Sequence, residues 1–358
     1  MGEELLVKQC GTCGKEVRKP YKYSKTQWAD FRRCSKECLR LAKIKHDKKM
    51  KPRKLKIAFV WQGISDENIK DKWRDGLRYA IDKISKKHVV HFFEPWHDII
   101  GYDVILYWEA PVTAQGQNAP HYNKVRQNPT KKALLFAGGQ IRKEWVSGFD
   151  LLFLESKINE KECDDLGIPW HHAFGINNKI FRPDRGAGKF HKRYDGMLHG
   201  TCASWKRQWL IGEALGDKGL VIGKGQDSDP YPFNRCRELG VDMVGESSPH
   251  FIRDKMLDCY TLVNPCDYWG GGQRATLEAM AVGIPVVCCT DSPKNIEFVE
   301  ESGFGVVVEP NAQAIKQAVE HIKANPMNKN IGKKYVEEKW SGDIYAEQLL
   351  EGINKILC

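Results

Sequence analysis

Short apolar runs alternate with longer amphipathic or polar segments from residue 56 onward. In the first half of the chain we predict strands over residues 56–61, 89–93, 103–108, 133–137 and 149–154. An amphipathic helix follows the first strand, with apolar residues recurring as far as Ile84. Strands separated by helices or long loops form parallel sheets covered on both faces. This half of the sequence therefore predicts an α/β domain.

The ends of these strands are the expected ligand-binding edge, because parallel sheets bind ligands beyond the carboxyl ends of their strands. Gln62 and Gly63 follow the first strand, and Glu109 follows the third. Trp61 and Trp108 stand beside them, although a tryptophan at a strand end is more often a cap on the core. We predict Gln62, Gly63 and Glu109 as one side of a ligand site.

The second half repeats the alternation, and residues 262–285 are its most informative stretch. A buried strand is predicted to close at Asn264, and three consecutive glycines follow at 270–272. Residues 274–282 have apolar positions at helical spacing, and a further apolar strand covers residues 284–289. Glycines let backbone amides approach a ligand closely, and a helix N-terminus favours an anion. The arrangement predicts an anion site.

Residues Leu277 to Val287 read LEAMAVGIPVV. This segment resembles the donor-binding signature of the retaining glycosyltransferases with the GT-B fold, the glycosyl transferase group 1 family. The resemblance implies two Rossmann-like α/β domains, one for the acceptor and one for a nucleotide-sugar donor. The family has a glutamate eight positions before the one that corresponds to Glu278, and here that position is Gly270. The departure removes a carboxylate that contacts the donor sugar in the family and leaves the nucleotide half intact.

The resemblance also implies roles for single residues. Lys206 falls at the family's diphosphate-binding lysine, and Thr201 stands at its arginine position, so Arg207 is taken as the second cation. Glu278 is predicted to bind the ribose, since a carboxylate can accept from both hydroxyls. Lys206, Arg207 and Glu278 form the predicted catalytic set. The other predicted donor contacts are Gly200, Thr201, Gly223, Gly225, Gly245, Gly270, Gly271 and Gly272.

Purely structural interpretations of these charged residues are the alternatives. Lys206 and Arg207 could be solvated charges near a helix start, and Glu278 could interact only with the helix macrodipole. A leaving nucleoside diphosphate, however, gains negative charge as the sugar bond breaks and needs cations there. The resemblance implies retention through front-side attack by the acceptor hydroxyl. The donor region is expected to lack an Asp-x-Asp metal motif, and so to need no catalytic divalent metal.

Charge is unevenly distributed along the chain. The net charge is +10, yet residues 1–56 alone carry 18 basic against 6 acidic residues, a balance of +12. Such a segment points to a polyanionic partner, nucleic acid first and an anionic membrane surface second. The alternative is a solvated tail that keeps the protein in solution.

Four of the twelve cysteines form two short-spaced pairs in this basic segment: Cys10, Cys13, Cys34 and Cys38. Thiolates two or three residues apart can face one ion, and four complete a tetrahedron, so we predict structural zinc. The alternatives are disulfides, which a reducing compartment disfavours, and unrelated thiols, which this spacing disfavours. The sequence around these cysteines resembles the small zinc fingers of phage-type proteins. The other eight cysteines are expected to be small core residues.

The expected fold class is α/β, with two Rossmann-like domains (GT-B) and a small N-terminal zinc-binding domain. The predicted segments are a zinc finger at 1–45, a basic linker at 46–56, an acceptor domain at 57–183, a donor domain at 192–334, and a C-terminal helix at 335–358 that packs back on the acceptor domain. No run of 18 apolar residues occurs, and we expect a cytoplasmic protein, in the host cytoplasm if a phage encodes it.

Combining the two resemblances gives the leading functional hypothesis. The enzyme would move a sugar from a nucleotide sugar, with a UDP-sugar favoured, to a hydroxymethylated pyrimidine base in DNA, held through the zinc finger and linker. One alternative is a glycan or lipid-linked saccharide glycosyltransferase whose basic segment touches a membrane. The other is a nucleic-acid-binding protein with a GT-B body that has lost catalysis. The sequence leaves the donor sugar, the acceptor atom and the oligomeric state open.

Overall fold

The computed structural model describes residues 7–9, 16–18, 53–67, 75–109, 119–136, 140–183, 192–225, 229–268, 271 and 273–358. The chain divides into two compact units, residues 1–54 and 55–358. In the smaller unit, strands β1 (Val7–Gln9) and β2 (Glu16–Arg18) pair antiparallel. The four predicted zinc ligands, Cys10, Cys13, Cys34 and Cys38, lie outside the described residues.

The larger unit contains two parallel sheets, which confirms the predicted pair of Rossmann-like α/β domains. The first sheet has the strand order β4-β3-β5-β6-β7-β8. Its strands are β3 (Lys56–Val60), β4 (Val89–Phe93), β5 (Val104–Glu109), β6 (Lys132–Phe136), β7 (Leu151–Leu154) and β8 (Trp170–His172). The sequence analysis predicted five of these strands and missed β8, which is short and ends in two histidines.

The second sheet has the order β11-β10-β9-β12-β13-β14, again with every pair parallel. Its strands are β9 (Tyr194–His199), β10 (Gly219–Ile222), β11 (Asp242–Val244), β12 (Cys259–Asn264), β13 (Val286–Cys289) and β14 (Gly305–Val308). Numbered within the sheet, this is the order 3-2-1-4-5-6 of a dinucleotide-binding fold.

Helices connect the strands and cover both sheets, as parallel crossovers require. Those around the first sheet are α1 (Gly76–Ser85), α2 (Ala119–Gln127), α3 (Lys143–Val146) and α4 (Lys157–Leu166). Those after it are α5 (Trp209–Leu215), α6 (Tyr231–Glu238), α7 (Pro249–Leu257), α8 (Gln273–Val282), α9 (Pro293–Ser302), α10 (Ala312–Ala324), α11 (Asn330–Lys339) and α12 (Gly342–Leu357). None of the helices in the described ranges is long and apolar enough to span a bilayer.

Helix α12 belongs to the core of the first sheet although it follows the whole second sheet in the chain. Tyr345, Leu349 and Ile353 are buried in one cluster with strand residues such as Phe59 and Phe153. An isolated parallel bridge between residues 176 and 341 fixes the start of this return. The hydrophobic core on this face of the first sheet is therefore complete only when residues 342–357 are packed against it.

Each sheet has one point where neighbouring strands connect in opposite directions, and ligands bind in the crevice beyond it. In the first sheet this switch point lies between β3 and β5, and in the second between β9 and β12. We call these crevices the first and the second switch point. The residues predicted from sequence fall on both.

Candidate active site

The floor of the second switch point is bare backbone, held by close contact between two loops. Gly200 follows β9 with φ of 123°, and its N–H donates to Ile222 O at 2.8 Å. Gly223 follows β10, and its N–H donates to Val244 O at 2.8 Å. A Cβ on Gly223 would overlap the carbonyl of Gly200. Only glycine fits at residue 223, which is buried against the Gly200 backbone.

Lys206 ends the 3₁₀ turn Ser204–Lys206, next to this floor. A Cβ built on Gly200 would lie 2.9 Å from Lys206 Nζ, so the ammonium group stands directly over the loop after β9. In the part of the chain that the structure describes, no carboxylate lies within ion-pair distance of this Nζ. The position offers an unneutralised cation to a bound anion.

Arg207 is the neighbouring predicted cation, but its side chain is engaged elsewhere. Its guanidinium pairs bidentately with Asp291 at 2.7 Å for each bond, and Nε donates to Pro265 O at 2.7 Å. Its backbone has φ of 48°, the left-handed region that a non-glycine residue rarely adopts. These contacts make Arg207 a clamp between the loops after β12 and β13. They leave Lys206 as the stronger of the two cationic assignments.

The glycine-rich loop is anchored from below by a buried network of polar side chains. Asn264 Nδ2 donates to Thr276 Oγ1 at 3.0 Å and to Asn295 Oδ1 at 2.9 Å. Asn295 Nδ2 donates in turn to Gly271 O at 3.3 Å. The network therefore holds the end of β12, helices α8 and α9, and the carbonyl of Gly271 in one arrangement. Gly270 and Gly272, also predicted as donor contacts, lie outside the described residues.

Glu278 lies in the second turn of α8, where only 4% of its side chain is exposed. Its Oε2 lies 3.0 Å from Nε2 of His199, the last residue of β9, whose side chain is 13% exposed. The two groups are not aligned for a hydrogen bond, and both atoms are buried without a hydrogen-bond partner. Strand β9 and helix α8 thus bring a carboxylate and an imidazole together at the second switch point.

Arg274 connects this region with the first sheet. It is one helical turn before Glu278, and its Nη1 lies 2.5 Å from Asp75 Oδ2. Asp75 is also the N-cap of α1, because its Oδ1 accepts from Arg78 N–H at 3.0 Å. Asp75, Glu155 and Glu278 raise the pKa of Arg274 against the opposing effect of burial. One carboxylate therefore ties the helix after the glycine loop to the first helix of the other domain.

The first switch point has a different character. The rings of Trp61 and Trp108 lie 4.4 Å apart between centroids, at 48°. Gln62 and Gly63 are exposed in the turn after β3, and Gly63 N–H donates to Glu94 Oε2 at 2.5 Å. Glu109 is buried at the end of β5. The three predicted acceptor-side residues thus lie at this crevice.

Glu109 is also part of a buried polar pair. Tyr107 Oη donates to Glu109 Oε2 at 3.4 Å. Burial first, and then the Glu109 charge, raises the pKa of the Tyr107 phenol, so that it remains a neutral donor. The carboxylate is therefore held by a hydroxyl of its own strand.

The remaining predicted donor residues surround the second switch point more loosely. Thr201 O accepts from Gln208 Nε2 at 2.9 Å, so this residue helps to hold the turn that carries Lys206. A Cβ on Gly225 would lie 3.1 Å from Phe233, whereas one on Gly245 would meet nothing within 4 Å. Steric need for glycine is therefore modest at residue 225 and absent at 245.

The expectation that the donor region lacks an Asp-x-Asp motif was wrong, because the sequence has one at Asp227, Ser228 and Asp229. Asp229 has a different task in the structure: its Oδ2 accepts from both N–H and Oγ of Ser204, at 2.9 and 2.6 Å. It caps the turn that presents Lys206. Among the described residues, no group of three or more His, Cys, Asp or Glu side chains could hold a metal ion.

Residues 220–338 match the model of the family Glycosyl transferases group 1, and the match covers the second sheet from β10 onward, about a third of the chain. The chain is a glycosyltransferase. A search of curated proteins finds no significant match.

Solved structures support the same fold over most of the chain. A sucrose-phosphate synthase from Thermosynechococcus elongatus is 15% identical, with a TM-score of 0.64 over 85% of this chain and 99% of that one. A glycosyltransferase from Rickettsia africae is 14% identical, with a TM-score of 0.63 over 85% and 99%. Anabaena HepE, solved with UDP and glucose, is 14% identical, with a TM-score of 0.62 over 84% and 100%. At these identities the likeness shows the fold.

The structure brings together several predicted residues and adds others that sequence reasoning missed. Gly200 lies beside Lys206 and Gly223, and Glu278 contacts His199 at the end of the same strand. The missed members are His199, Asp75 and Asp291, each paired with a residue from a distant part of the chain. His199 stands directly before Gly200, and this position at a strand end was the one signal available in the sequence.

Proposed function

We propose that the glycosyltransferase takes its sugar from a nucleoside diphosphate sugar, with a UDP-sugar favoured, bound at the second switch point. The observation that carries the proposal is that two groups meet at the end of β9: Lys206 stands next to Gly200, and Glu278 lies 3.0 Å from His199, the residue before it. A diphosphate needs a cation and close backbone approach, and a ribose needs an acceptor for its hydroxyls. The UDP bound in Anabaena HepE supports the choice of nucleoside.

Each residue then has one task in the transfer. The bond between the anomeric carbon and the diphosphate oxygen breaks, and a bond from the acceptor oxygen to the same face of that carbon forms. The departing diphosphate oxygen takes the proton of the acceptor hydroxyl, which balances the step and retains the configuration. Lys206 stabilises the charge that develops on the diphosphate, and Glu278 fixes the ribose. We keep Arg207 as a candidate second cation that would have to leave Asp291.

The donor sugar itself would meet backbone rather than a carboxylate. Gly270 stands where the related transferases have their first glutamate, so the proposed contacts are the amides of residues 270–272. The carbonyl of Gly271 already accepts from Asn295 Nδ2 at 3.3 Å. Backbone N–H groups only donate hydrogen bonds, so this loop would favour a group that accepts them, such as a sugar hydroxyl oxygen or a phosphate.

The donor proposal is tested by nucleotide binding and sugar transfer with Glu278→Gln. Loss of a charged acceptor weakens hydrogen bonds to the ribose, and we expect the Kd for UDP to rise about tenfold or more. Glu160→Gln is the matched control, since Glu160 also pairs with a histidine, His172, at 2.8 Å but lies on α4. Unchanged UDP binding in Glu278→Gln, or no binding of any nucleoside diphosphate by the native protein, would contradict the proposal.

We propose a hydroxymethylated pyrimidine base in DNA as the acceptor. Its support is the basic N-terminal segment, with a balance of +12 over residues 1–56, because phosphate contacts from Lys and Arg bind DNA without reading its sequence. A flipped base would have to reach the cleft for transfer. The test is sugar transfer to hydroxymethylated and to unmodified DNA, with and without residues 1–53. Transfer to glycans or lipid-linked saccharides alone, or DNA binding without any transfer, would replace this acceptor.

Zinc in the N-terminal segment is part of the same proposal. Cys10, Cys13, Cys34 and Cys38 would supply four thiolates, and a small segment held in this way folds only with its metal. We expect about one zinc ion per chain by elemental analysis, and its loss in Cys10→Ser combined with Cys13→Ser. A purified chain without zinc that still has a folded N-terminal segment would contradict this.

No divalent metal is assigned to the transfer step. Asp229, the one described residue of the Asp-x-Asp sequence, is engaged with Ser204. We expect transfer to continue at an unchanged rate in excess EDTA once the zinc content has been verified as retained. Activity that falls with EDTA and returns with Mg²⁺ or Mn²⁺ would assign Asp227 and Asp229 a metal-binding task instead.

A further inference from the structure

Four charged side chains line the crevice between the two domains, and the transfer step proposed above uses none of them. Asp75 precedes α1 and Glu155 directly follows β7, whereas Arg274 and Lys294 lie in the first turns of α8 and α9. Asp75 pairs with Arg274, and the charge of Glu155 interacts with those of Arg274 and Lys294. We call these four residues the cleft charges. The first domain contributes two carboxylates to them, and the second contributes two cations.

Two of the cleft charges have no partner at contact distance. Lys294 is 3% exposed and Glu155 is half-buried, and in the described part of the chain neither charged group makes a hydrogen bond or an ion pair. Burial lowers the pKa of Lys294 and raises that of Glu155, so the fold alone disfavours both ions. Buried charges in proteins are normally paired, because an unpaired one costs stability. A ligand that supplies hydrogen bonds to both groups removes this cost.

The crevice is open to a ligand and lies beside the glycine run. The side chain of Arg274 is 35% exposed, although the same residue pairs with Asp75. Asn295, the residue after Lys294, donates to Gly271 O at 3.3 Å, and Arg274 is three positions after Gly271. The two cations therefore stand at helix starts on either side of the run. A sugar bound there would face Glu155 across the crevice.

The charges select the chemistry of that sugar. An ammonium group only donates hydrogen bonds and a carboxylate only accepts them, whereas a hydroxyl does both. Both cations are already balanced, since Asp75 pairs with Arg274, and Glu155 and Glu162 both act on Lys294. A further negative charge on the sugar would meet these carboxylates. The crevice thus suits a neutral group that is rich in hydroxyls.

We propose that Glu155 and Lys294 bind the hydroxyls of the transferred sugar from opposite walls of the crevice and make the enzyme specific for a neutral sugar. This inference rests on the proposed donor site and names the class of sugar that the site takes. One binding residue comes from each domain, and neither belongs to the set assigned to the nucleotide.

The first test compares donors that differ only in the sugar. The native protein is titrated calorimetrically with UDP, UDP-glucose, UDP-galactose, UDP-N-acetylglucosamine and UDP-glucuronate. A hydrogen bond to a charged group is worth about tenfold in affinity. We therefore expect at least one neutral UDP-sugar to bind about tenfold or more tightly than UDP, and UDP-glucuronate to bind no more tightly than UDP.

The second test removes the unpaired charges one at a time, in Glu155→Gln and Lys294→Met. In each variant the affinity for the preferred neutral UDP-sugar should fall about tenfold, whereas the affinity for UDP, which lacks the sugar, should stay as in the native protein. The denaturation midpoint of each ligand-free variant should be unchanged or higher, because a neutral side chain of similar size replaces an unpaired buried charge. A residue needed only for folding would lower the midpoint.

Glu301→Gln is the matched control, because Glu301 is another carboxylate that links the domains but does not line the crevice. It pairs with Lys157 of α4, accepts from Tyr335 Oη at 3.1 Å and lies 3.3 Å from Lys339 Nζ. This variant should lose stability and keep every UDP-sugar affinity.

The outcomes separate this inference from the function beneath it. An unchanged UDP-sugar affinity in Glu155→Gln and Lys294→Met, or an equal loss for UDP and the UDP-sugar, would overturn the inference while leaving the donor site in place. A higher KM for the acceptor with unchanged UDP-sugar affinity would also overturn it, and would assign the cleft charges to the acceptor. Tighter binding of UDP-glucuronate than of the neutral donors would overturn the specificity. A native protein that binds none of the five ligands would overturn the proposed use of a UDP-sugar itself.

Discussion

The two switch points have the same position in their sheets but opposite chemistry. At the second, glycines follow the strand ends, and the side chains near them are polar: Lys206, Glu278 and His199. At the first, the strand ends carry a pair of tryptophan rings and a buried carboxylate held by a tyrosine. The first crevice can offer stacking area, and the second offers charge and hydrogen bonds. The difference teaches that glycines and charges at strand ends are visible in a sequence, whereas tryptophans at strand ends cannot be told from residues of the core.

The largest expected effect comes from Lys206→Ala, which removes a cation that has no ion-pair partner among the residues the structure describes. Transition-state charge on the diphosphate would lose its main partner, and we expect transfer to fall about 100- to 1,000-fold in kcat. Steady-state kinetics measure this. Lys224→Ala is the control, since Lys224 is exposed beside the same loops and pairs with Glu246 at 3.8 Å. Equal losses of kcat in the two variants would mean that Lys206 contributes no more to transfer than Lys224 does.

Gly223→Ala should show that the second crevice depends on bare backbone. The added Cβ would overlap the Gly200 carbonyl, so the loops must move, and we expect unfolding free energy to fall by about 3 kcal/mol. Gly245→Ala is the control for stability because its Cβ would meet nothing within 4 Å. Chemical denaturation of both variants gives the answer. A Gly223→Ala variant as stable as Gly245→Ala would mean that the loops yield easily.

Trp108→Ala should separate the two crevices functionally. Loss of an aromatic surface at the first switch point is worth about 1 kcal/mol of stacking, so we expect the KM for acceptor to rise about fivefold. The Kd for nucleotide should remain as in the native enzyme. Trp170→Ala is the control, since Trp170 begins β8 at the opposite edge of the sheet and donates to Asp164. A rise in nucleotide Kd would show that the crevices are not chemically separate.

Asp291→Asn tests the clamp beside the second crevice and should have the smallest effect. The Asp291 side chain is 43% exposed, so solvent screens its pair with Arg207 and we expect about 1 kcal/mol of lost stability. If Arg207 only clamps, nucleotide affinity changes little. If it can turn to the diphosphate, releasing it should strengthen nucleotide binding. Isothermal titration distinguishes these cases and sharpens the comparison of Lys206 with Arg207.

Local sequence patterns predicted most of the helices and strands. They did not predict side-chain contacts between residues far apart in the chain. The predicted helix 274–282 is observed as Gln273–Val282, since apolar spacing and Gly283 fix both ends. The strand β8 was missed because a three-residue run containing two histidines has no apolar alternation.

Roles that depend on tertiary contacts were less accessible. Arg207 has a sequence position that suggests a phosphate ligand, and only the fold brings Asp291, 84 residues away, against it. His199 has no motif of its own until α8 places Glu278 opposite it.

The return of α12 to the first sheet has a consequence for synthesis. Leu349 and Ile353 fill part of the hydrophobic interior around β3, β5 and β7, yet the ribosome makes them after the whole second sheet. During translation the domain of the first sheet therefore has an uncovered apolar face until α12 is made. The domain of the second sheet has all of its strands before that point. A nascent chain halted before residue 342 would expose that face, and chaperone binding should concentrate there.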